Sequence, residues 1–184
     1  VVGGLVSMGV ITGVAVGGGR LLAADAQRRE LLLYEGKRFL ATVGGGQNTR
    51  GFMIPNGVLT VAYDSSRPSF VVAHPQKHRI ERYDVEGAPL EKFGRFGHDD
   101  PAAFGGCCNP TTCAVTPRGV IQASEKAPHV VKAFDADGQF LAITPSDSFD
   151  PGAKNQRLAA DASGRFYATD SVRGWIVAFQ LTDD

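Results

Sequence analysis

Short apolar runs alternate with polar or glycine-rich turns along the chain, and one arrangement of them occurs four times. In each copy, a turn precedes an apolar run, a polar interruption and a second apolar run that ends in an aromatic residue. Short runs rich in aliphatic and aromatic residues, bounded by turns, are typical of β-strands. The copies are GRLLAADAQRRELLLYEG from Gly19, SFVVAHPQKHRIERYDVEG from Ser69, GVIQASEKAPHVVKAFDADG from Gly119 and GRFYATDSVRGWIVAFQ from Gly164.

The aromatic residues that close the copies are separated by 49, 51 and 45 residues. A period of this size is that of a four-stranded propeller blade. The pattern therefore predicts an all-β propeller with about four visible blades. The closing aromatics are Tyr34, Tyr83, Phe134 and Phe179, and the apolar residues three positions before them are Leu31, Ile80, Val131 and Ile176.

Tetrapeptides that begin with aspartate or threonine and end with glycine lie between the apolar runs. The first side chain can hydrogen-bond to the backbone of the turn, and glycine accepts a positive φ. These signals predict hairpin turns at Asp84–Gly87, Thr116–Gly119, Asp135–Gly138 and Asp161–Gly164.

His74 stands at the repeat position that Asp25, Ser124 and Asp170 occupy in the other copies. Short polar side chains at the end of a strand commonly hydrogen-bond the adjoining loop. The pattern therefore favours a structural role for His74 over a role in ligand binding.

The composition is that of a soluble globular protein, with 43% hydrophobic and 21% charged residues in a chain of 184. This length can form one domain with a sizeable core, or two small domains. Lysine plus arginine and aspartate plus glutamate each number 19, so no net charge attracts the chain to nucleic acid. Nucleic-acid binding is therefore disfavoured.

The segment Val1–Gly19 contains no charged residue and allows two interpretations. Nineteen uncharged residues can span a bilayer as a helix, which would make the segment a transmembrane anchor or part of a secretion signal. In the other interpretation, Ile11–Val16 is the inner strand of the first blade, equivalent to residues 111–115 and 156–160. The sequence leaves both open.

The sequence FGGCCNPTTCAV (104–115), followed by QASEKAPHVVKAFDADGQFL (122–141), resembles bacterial NHL-type proteins with a Cys-Cys-Asn-Pro motif at the start of a blade. The resemblance covers about residues 55–180 and, more loosely, 10–45. It implies a β-propeller of NHL type after the apolar segment 1–19. The implied repeats span about 20–50, 55–97, 104–145 and 152–181.

Propellers of this superfamily commonly have six blades. Four visible blades leave three alternatives: part of a larger ring, a ring completed by another chain, or a smaller closed ring.

Members of the superfamily are mostly binding scaffolds, with a few metal-dependent lyases and hydrolases. The resemblance implies a non-catalytic scaffold or binding module in the periplasm or elsewhere outside the cytoplasm. If Val1–Gly19 is an anchor, the protein would be a membrane-tethered accessory subunit of a larger complex. The partners would be proteins, such as subunits of a membrane complex, and no cofactor is expected. The alternative is a metal-dependent enzyme with a transition metal near the Cys-Cys loop.

All three cysteines lie between Cys107 and Cys113, and their chemistry has several interpretations. Thiolates of Cys107, Cys108 and Cys113 could hold a soft metal, with the imidazole of His98 or the carboxylate of Asp99 or Asp100 as a fourth ligand. The spacing is not that of a CxxC knuckle, however. A disulfide in an oxidising compartment is the second interpretation, and simple packing of Cys113 as a small apolar residue is the third.

The loop that carries the cysteines is predicted to form the entrance to a blade. Proline restricts Asn109 to extended geometry, which suits the start of an inner strand. Because binding residues are often found on loops held by a rigid scaffold, we expect a binding site at Cys107, Cys108 and Asn109, with His98 and Asp99 nearby. The sequence contains no H-E-x-x-H, G-x-S-x-G or G-x-x-x-x-G-K-[ST] motif, and no catalytic residue is predicted.

Overall fold

A computed structural model describes residues 9–45 and 51–181, and their strands form four antiparallel sheets. Blade 1 contains β1 (Ile11–Gly17), β2 (Arg20–Asp25), β3 (Glu30–Glu35) and β4 (Arg38–Val43). Blade 2 contains β5 (Thr60–Asp64), β6 (Ser69–His74), β7 (Arg79–Tyr83) and β8 (Pro89–Phe93), with a 3-10 turn at Pro75–Lys77. Blade 3 contains β9 (Thr112–Val115), β10 (Ile121–Lys126), β11 (His129–Phe134) and β12 (Phe140–Ile143). Blade 4 contains β13 (Leu158–Ala160), β14 (Phe166–Asp170) and β15 (Trp175–Phe179).

Within each sheet the strands pair in the order in which they occur along the chain. Four such meanders in succession form a β-propeller of four blades, which confirms the all-β propeller that the repeat predicted. Within the described ranges, no helix is both long and apolar enough to cross a bilayer.

The hydrophobic core lies between successive blades. One cluster joins blades 1 and 2, a second joins blades 2 and 3, and a third joins blades 3 and 4. Because successive side chains of a strand point to opposite faces, blades 2 and 3 each present one apolar face to the blade before and one to the blade after. This two-sided burial explains why the strands do not alternate strictly between apolar and polar residues.

The two repeat positions found in the sequence pack in opposite directions. Ile80 of blade 2 packs forward against blade 3, and Val131 of blade 3 packs forward against blade 4. The aromatic three residues later packs backward: Tyr83 lies in the core with blade 1, and Phe134 lies in the core with blade 2. Blades 2 and 3 therefore each use one of these positions to contact each neighbouring blade.

The predicted turns are present and use the expected interactions. Asp84 Oδ1 accepts the backbone N–H groups of Glu86 and Ala88 at 3.0 and 2.7 Å, and Gly87 has a φ of +87°. Gly119, Gly138 and Gly164 also have positive φ values, at the ends of the other three tetrapeptides. The turns therefore depend on the residue types that identified them.

The strand interpretation of Ile11–Val16 agrees with the structure, because these residues belong to β1 and pair with β2. Gly13 of β1 lies against the backbone of Leu59 and Thr60 at the start of blade 2, where an added Cβ would meet backbone atoms at 3.1 Å. Residues 1–8, which the membrane interpretation also includes, lie outside the described part of the chain.

Candidate functional site

In three of the four blades, the residue that ends the second strand holds the loop that leads into the same blade. Asp25 Oδ2 accepts the backbone N–H of Gly9 at 2.7 Å, and Asp170 Oδ2 accepts that of Asp150 at 2.7 Å. His74 does the same in blade 2, where its Nε2 accepts the backbone N–H of Met53 at 2.9 Å. The structural role predicted for His74 is confirmed.

Blade 3 holds its entrance loop, the loop that carries Cys107 and Cys108, from the same position of its second strand. Strand pairing aligns Glu125 with His74, because Val131 pairs with Ser124 as Ile80 pairs with Ala73, so the position predicted for Ser124 was wrong by one residue. Glu125 Oε2 accepts the backbone N–H of Gly105 at 3.2 Å, and Ser124 bonds to the hydroxyls of Thr111 and Thr112, each at 2.7 Å.

The buried side chain of Asn109 fixes the other end of this loop. Its Nδ2 donates to the carbonyl of Gly105 at 2.5 Å and to Glu125 Oε2 at 3.1 Å, and its Oδ1 accepts the backbone N–H of Lys126 at 2.9 Å. Asn109 is also followed by a cis peptide bond to Pro110. These bonds tie the loop to β10 on both sides of the two cysteines.

A buried ion pair contacts the same loop. The Lys132 ammonium contacts the Glu125 carboxylate and also donates to the carbonyl of Ala103. Burial raises the pKa of Glu125, although Lys132, Gly105 and Asn109 act against that effect. Because Glu125 accepts from three partners, removal of one would leave a buried polar group unsatisfied.

The two adjacent cysteines are free thiols that differ in exposure. Cys107 is exposed, whereas Cys108 is 5% exposed, and the Cys108 thiol donates to the Cys107 sulfur at 3.3 Å. The hydrogen bond from Cys108 and the nearby Lys126 ammonium lower the pKa of Cys107. Burial raises the pKa of Cys108, and the bond it donates adds to this effect. The pair therefore combines an exposed Cys107, whose lowered pKa favours the thiolate, with a buried Cys108, whose raised pKa favours the protonated thiol.

Cys113 belongs to the core between blades 2 and 3 and not to the loop. Its sulfur lies 3.8 Å from Thr60 Oγ1 and 3.5 Å from the carbonyl of Val71. Burial raises the pKa of its thiol to about 11. This position matches the interpretation in which Cys113 packs as a small apolar residue.

His98 is exposed and lies beside Gly105, at the start of the cysteine loop. The segment between them is closed by backbone hydrogen bonds, from Phe104 to Arg95 at 2.8 Å and from Gly97 to Phe104 at 3.3 Å. The His98 ring packs against Phe96, with ring centroids 5.1 Å apart. Asp99 is exposed on the same loop.

The structure brings together only part of the predicted metal set. His98 approaches the loop of Cys107 and Cys108, but Cys113 lies in the core. In the part of the chain that the structure describes, no three histidine, cysteine, aspartate or glutamate side chains form a group able to hold a metal ion. Binding at Cys107, Cys108, Asn109, His98 and Asp99 stays a prediction.

The far side of blade 4 is a second candidate surface, which the sequence did not single out. Strand pairing places five residues on the face that points away from blade 3, and none of them is buried. We call this surface the open face. It consists of Ala159, Tyr167, Thr169, Ile176 and Ala178.

The equivalent positions of blade 3 are all buried, on the side that faces blade 4. Within the described residues, no blade covers the open face in the same way. Ile176 is 72% exposed, whereas its equivalents Leu31, Ile80 and Val131 are 0%, 1% and 2% exposed. The repeat could have indicated this surface, because it aligned Ile176 with Ile80 and Val131. The structure shows that these two residues pack on the following blade.

The propeller is the class of fold that the comparisons with known proteins support. No protein-family model and no curated protein matches this chain. A crystal structure of a protein of unknown function from Bacteroides caccae is 16% identical at a TM-score of 0.58, covering 93% of this chain and 57% of that one. Glutaminyl cyclase from Myxococcus xanthus is 15% identical at a TM-score of 0.60, covering 90% of this chain and 70% of that one.

Streptogramin B lyase is similar in structure as well, with 10% identity and a TM-score of 0.61, covering 93% of this chain and 54% of the lyase. The chain thus spans somewhat more than half the length of the lyase and of the Bacteroides protein. At identities this low, the likeness establishes the fold, and function has to be argued from the sites.

Proposed function

We propose that this propeller is a non-catalytic binding module of NHL type, which acts as a scaffold or accessory subunit by holding a protein partner against the open face of blade 4. The observation that carries the proposal is the exposure of Ile176 at a repeat position that is buried in the other three blades. An exposed apolar surface with a buried internal equivalent indicates an interaction site.

The occupant we propose is a β-sheet of a partner protein that presents an aromatic side chain over Ile176. Blade 3 supplies the template, because Val131 is covered there by Phe149, Ala168 and the neighbouring Phe179 of blade 4. The five side chains of the open face are small, aromatic or β-branched, and such a surface favours packing against another sheet. Arg157, beside Thr169 at its edge, donates to the carbonyl of Thr12 in blade 1 at 3.1 Å. Contact over this face would bury Ile176 as Val131 is buried.

Site-specific photo-crosslinking in the native host tests this contact. A benzophenone amino acid replaces Ile176 and, as the control, the exposed Lys37 in the turn of blade 1. The expected result is an adduct at 176 and none at 37, with the crosslinked peptide in a β-strand of one partner protein. The substitution Ile176→Lys should abolish copurification of that partner.

Three results would overturn the proposed contact. They are the absence of an adduct at 176, equal labelling at 176 and 37, and a crosslink at 176 to another segment of the same polypeptide. The last result would mean that the face is covered within one polypeptide.

The location outside the cytoplasm and a tether to a membrane complex are further parts of the proposal, and they rest on the uncharged segment 1–19. Because Ile11–Gly17 forms β1, a tether would have to involve sequence before residue 11. Membrane partition after an alkaline wash, with and without residues 1–8, tests this part. Retention that disappears on deletion would support the tether, and equal partition of both forms would contradict it.

The second candidate is a metal-dependent lyase or hydrolase with its site near the cysteine loop. An enzyme role is favoured by the names of two structural neighbours, glutaminyl cyclase and streptogramin B lyase, and only the second name matches the lyase class. We rank it below the scaffold because the described residues contain no group of three metal-ligating side chains. Stoichiometric copurification of a transition metal that is lost in Cys107→Ser would reverse this ranking.

A further inference from the structure

The thiol pair Cys107–Cys108 has a geometry that the proposed protein contact does not use. The pair lies at the entrance of blade 3, whereas the open face belongs to blade 4. The two sulfur atoms are 3.3 Å apart, and a disulfide bond requires a separation of about 2.05 Å. A shift of little more than 1 Å would therefore bring them to bonding distance.

The loop holds the two sulfurs next to each other by fixing the backbone on either side. Gly105 is bonded to both Asn109 and Glu125, and Asn109 is bonded to Lys126. Cys107 and Cys108 lie between these anchored residues. The anchors limit how far the sulfurs can separate when one of them reacts.

The two thiols differ in solvent exposure, and this difference gives them different roles in a reaction. The exposed sulfur of Cys107 can be reached by a second molecule. Cys108 is buried, and its S–H points to the sulfur of Cys107. An accessible nucleophile beside a shielded second thiol is the arrangement of a dithiol exchange site.

We propose that Cys107 and Cys108 form a thiol–disulfide exchange centre that is oxidised by small-molecule disulfides. The Cys107 thiolate attacks one sulfur of RS–SR, which forms a Cys107–S–S–R bond and releases RS⁻. Cys108 loses its proton and attacks the Cys107 sulfur, which forms the Cys107–Cys108 disulfide and releases the second RS⁻. Counted from the dithiol, whose Cys107 first gives up its proton, the pair loses two electrons and two protons, and the two RS⁻ ions take up these protons to become two RSH molecules.

The product would be a labile disulfide, so the exchange would be reversible. A bond between adjacent residues closes a small ring that contains the intervening peptide, and strained disulfides are more easily reduced than relaxed ones. Reduction by excess thiol would return the pair to the state in the structure.

The experiment treats the reduced full chain with 5,5′-dithiobis(2-nitrobenzoate) and measures released thionitrobenzoate and intact mass. The wild type is expected to release two thionitrobenzoate ions per chain, keep no adduct and lose the mass of two hydrogen atoms. Oxidised glutathione should give the same mass loss with no lasting glutathione adduct, and dithiothreitol should reverse it. Cys113 is expected to stay unmodified in the folded protein.

The variant Cys108→Ser provides the matched control, because it keeps the nucleophile and removes the second thiol. It should release one thionitrobenzoate ion and keep a stable adduct on Cys107. A wild-type protein that keeps adducts on Cys107 or on both sulfurs would overturn the proposal, as would a Cys107 that does not react. The wild-type measurement decides the proposal without any substitution. Its outcome is independent of the photo-crosslinking at Ile176, so failure of one proposal can be told from failure of the other.

Discussion

The imidazole Nδ1 of His74 lies 2.8 Å from Glu81 Oε1, and both side chains are buried in blade 2. The opposite ring nitrogen, Nε2, accepts the backbone N–H of Met53. Because a nitrogen that accepts a hydrogen bond carries no proton, the ring donates through Nδ1 to the carboxylate. The pair performs the task for which blades 1 and 4 use one aspartate each.

Replacement of His74 by alanine is expected to reduce the free energy of unfolding by about 1–3 kcal/mol, the usual cost of buried polar groups left without a partner. Met53 N–H would lose its acceptor, and Glu81 would lose a donor. Urea denaturation measures the change. The control is His98→Ala, which alters an exposed side chain and should stay within about 0.5 kcal/mol. Equal losses in the two variants would contradict the structural role of His74.

Glu81 makes the stability of blade 2 depend on pH. Burial raises the pKa of its carboxyl, but hydrogen bonds from His74 and Tyr83 outweigh this effect and lower the pKa from 4.5 to about 2. The charged carboxylate therefore stabilises the fold above pH 4.5, and this contribution is lost as the pH falls toward about 2.

Denaturant unfolding of wild type and Glu81→Gln across this pH range tests the dependence. The variant should be less stable than wild type at neutral pH and should lose less stability on acidification. Two curves that stay parallel would show that Glu81 is not responsible.

The side chain of Asn109 is expected to determine the order of the cysteine loop. Asn109→Ala removes the bonds to Gly105, Glu125 and Lys126, and we expect a loss of about 2 kcal/mol together with faster amide hydrogen exchange at Gly105 and Lys126. The control is Asn56→Ala, because within residues 9–45 and 51–181 the Asn56 side chain makes only hydrogen bonds of 3.4 Å, to Asn155 and Val58. Unchanged amide exchange at Gly105 in Asn109→Ala would show that the Asn109 side chain does not order the loop.

Val131 and Ile176 are equivalent residues that should respond differently to truncation. Val131→Ala removes buried contacts between blades 3 and 4, and a loss of about 2 kcal/mol is expected. Ile176→Ala alters an exposed residue of the open face, so the isolated chain should change by less than about 0.5 kcal/mol. Calorimetric unfolding of the two variants checks this, and a comparable loss in Ile176→Ala would show that the face is already covered.

The cysteine loop could be predicted only in part from the sequence. The motif indicated that Asn109 and Pro110 begin an inner strand, and β9 does begin shortly after them, at Thr112. The bonds from Asn109 to Glu125 and Lys126 could not be predicted, because they join residues that are 16 and 17 positions apart. The separation of Cys113 from the pair likewise depends on which way its strand faces.

The sequence by itself determined the blades. Turn residues, strand runs and the positions of Leu31 and Tyr34 in each copy are local patterns, and hairpins of sequential strands form from local contacts. Only the tertiary structure decided which of these equivalent positions are covered and which thiols meet. Burial of Val131 and exposure of Ile176 follow from the presence or absence of a neighbouring sheet, and a repeat cannot encode that difference because both residues carry the same apolar signal.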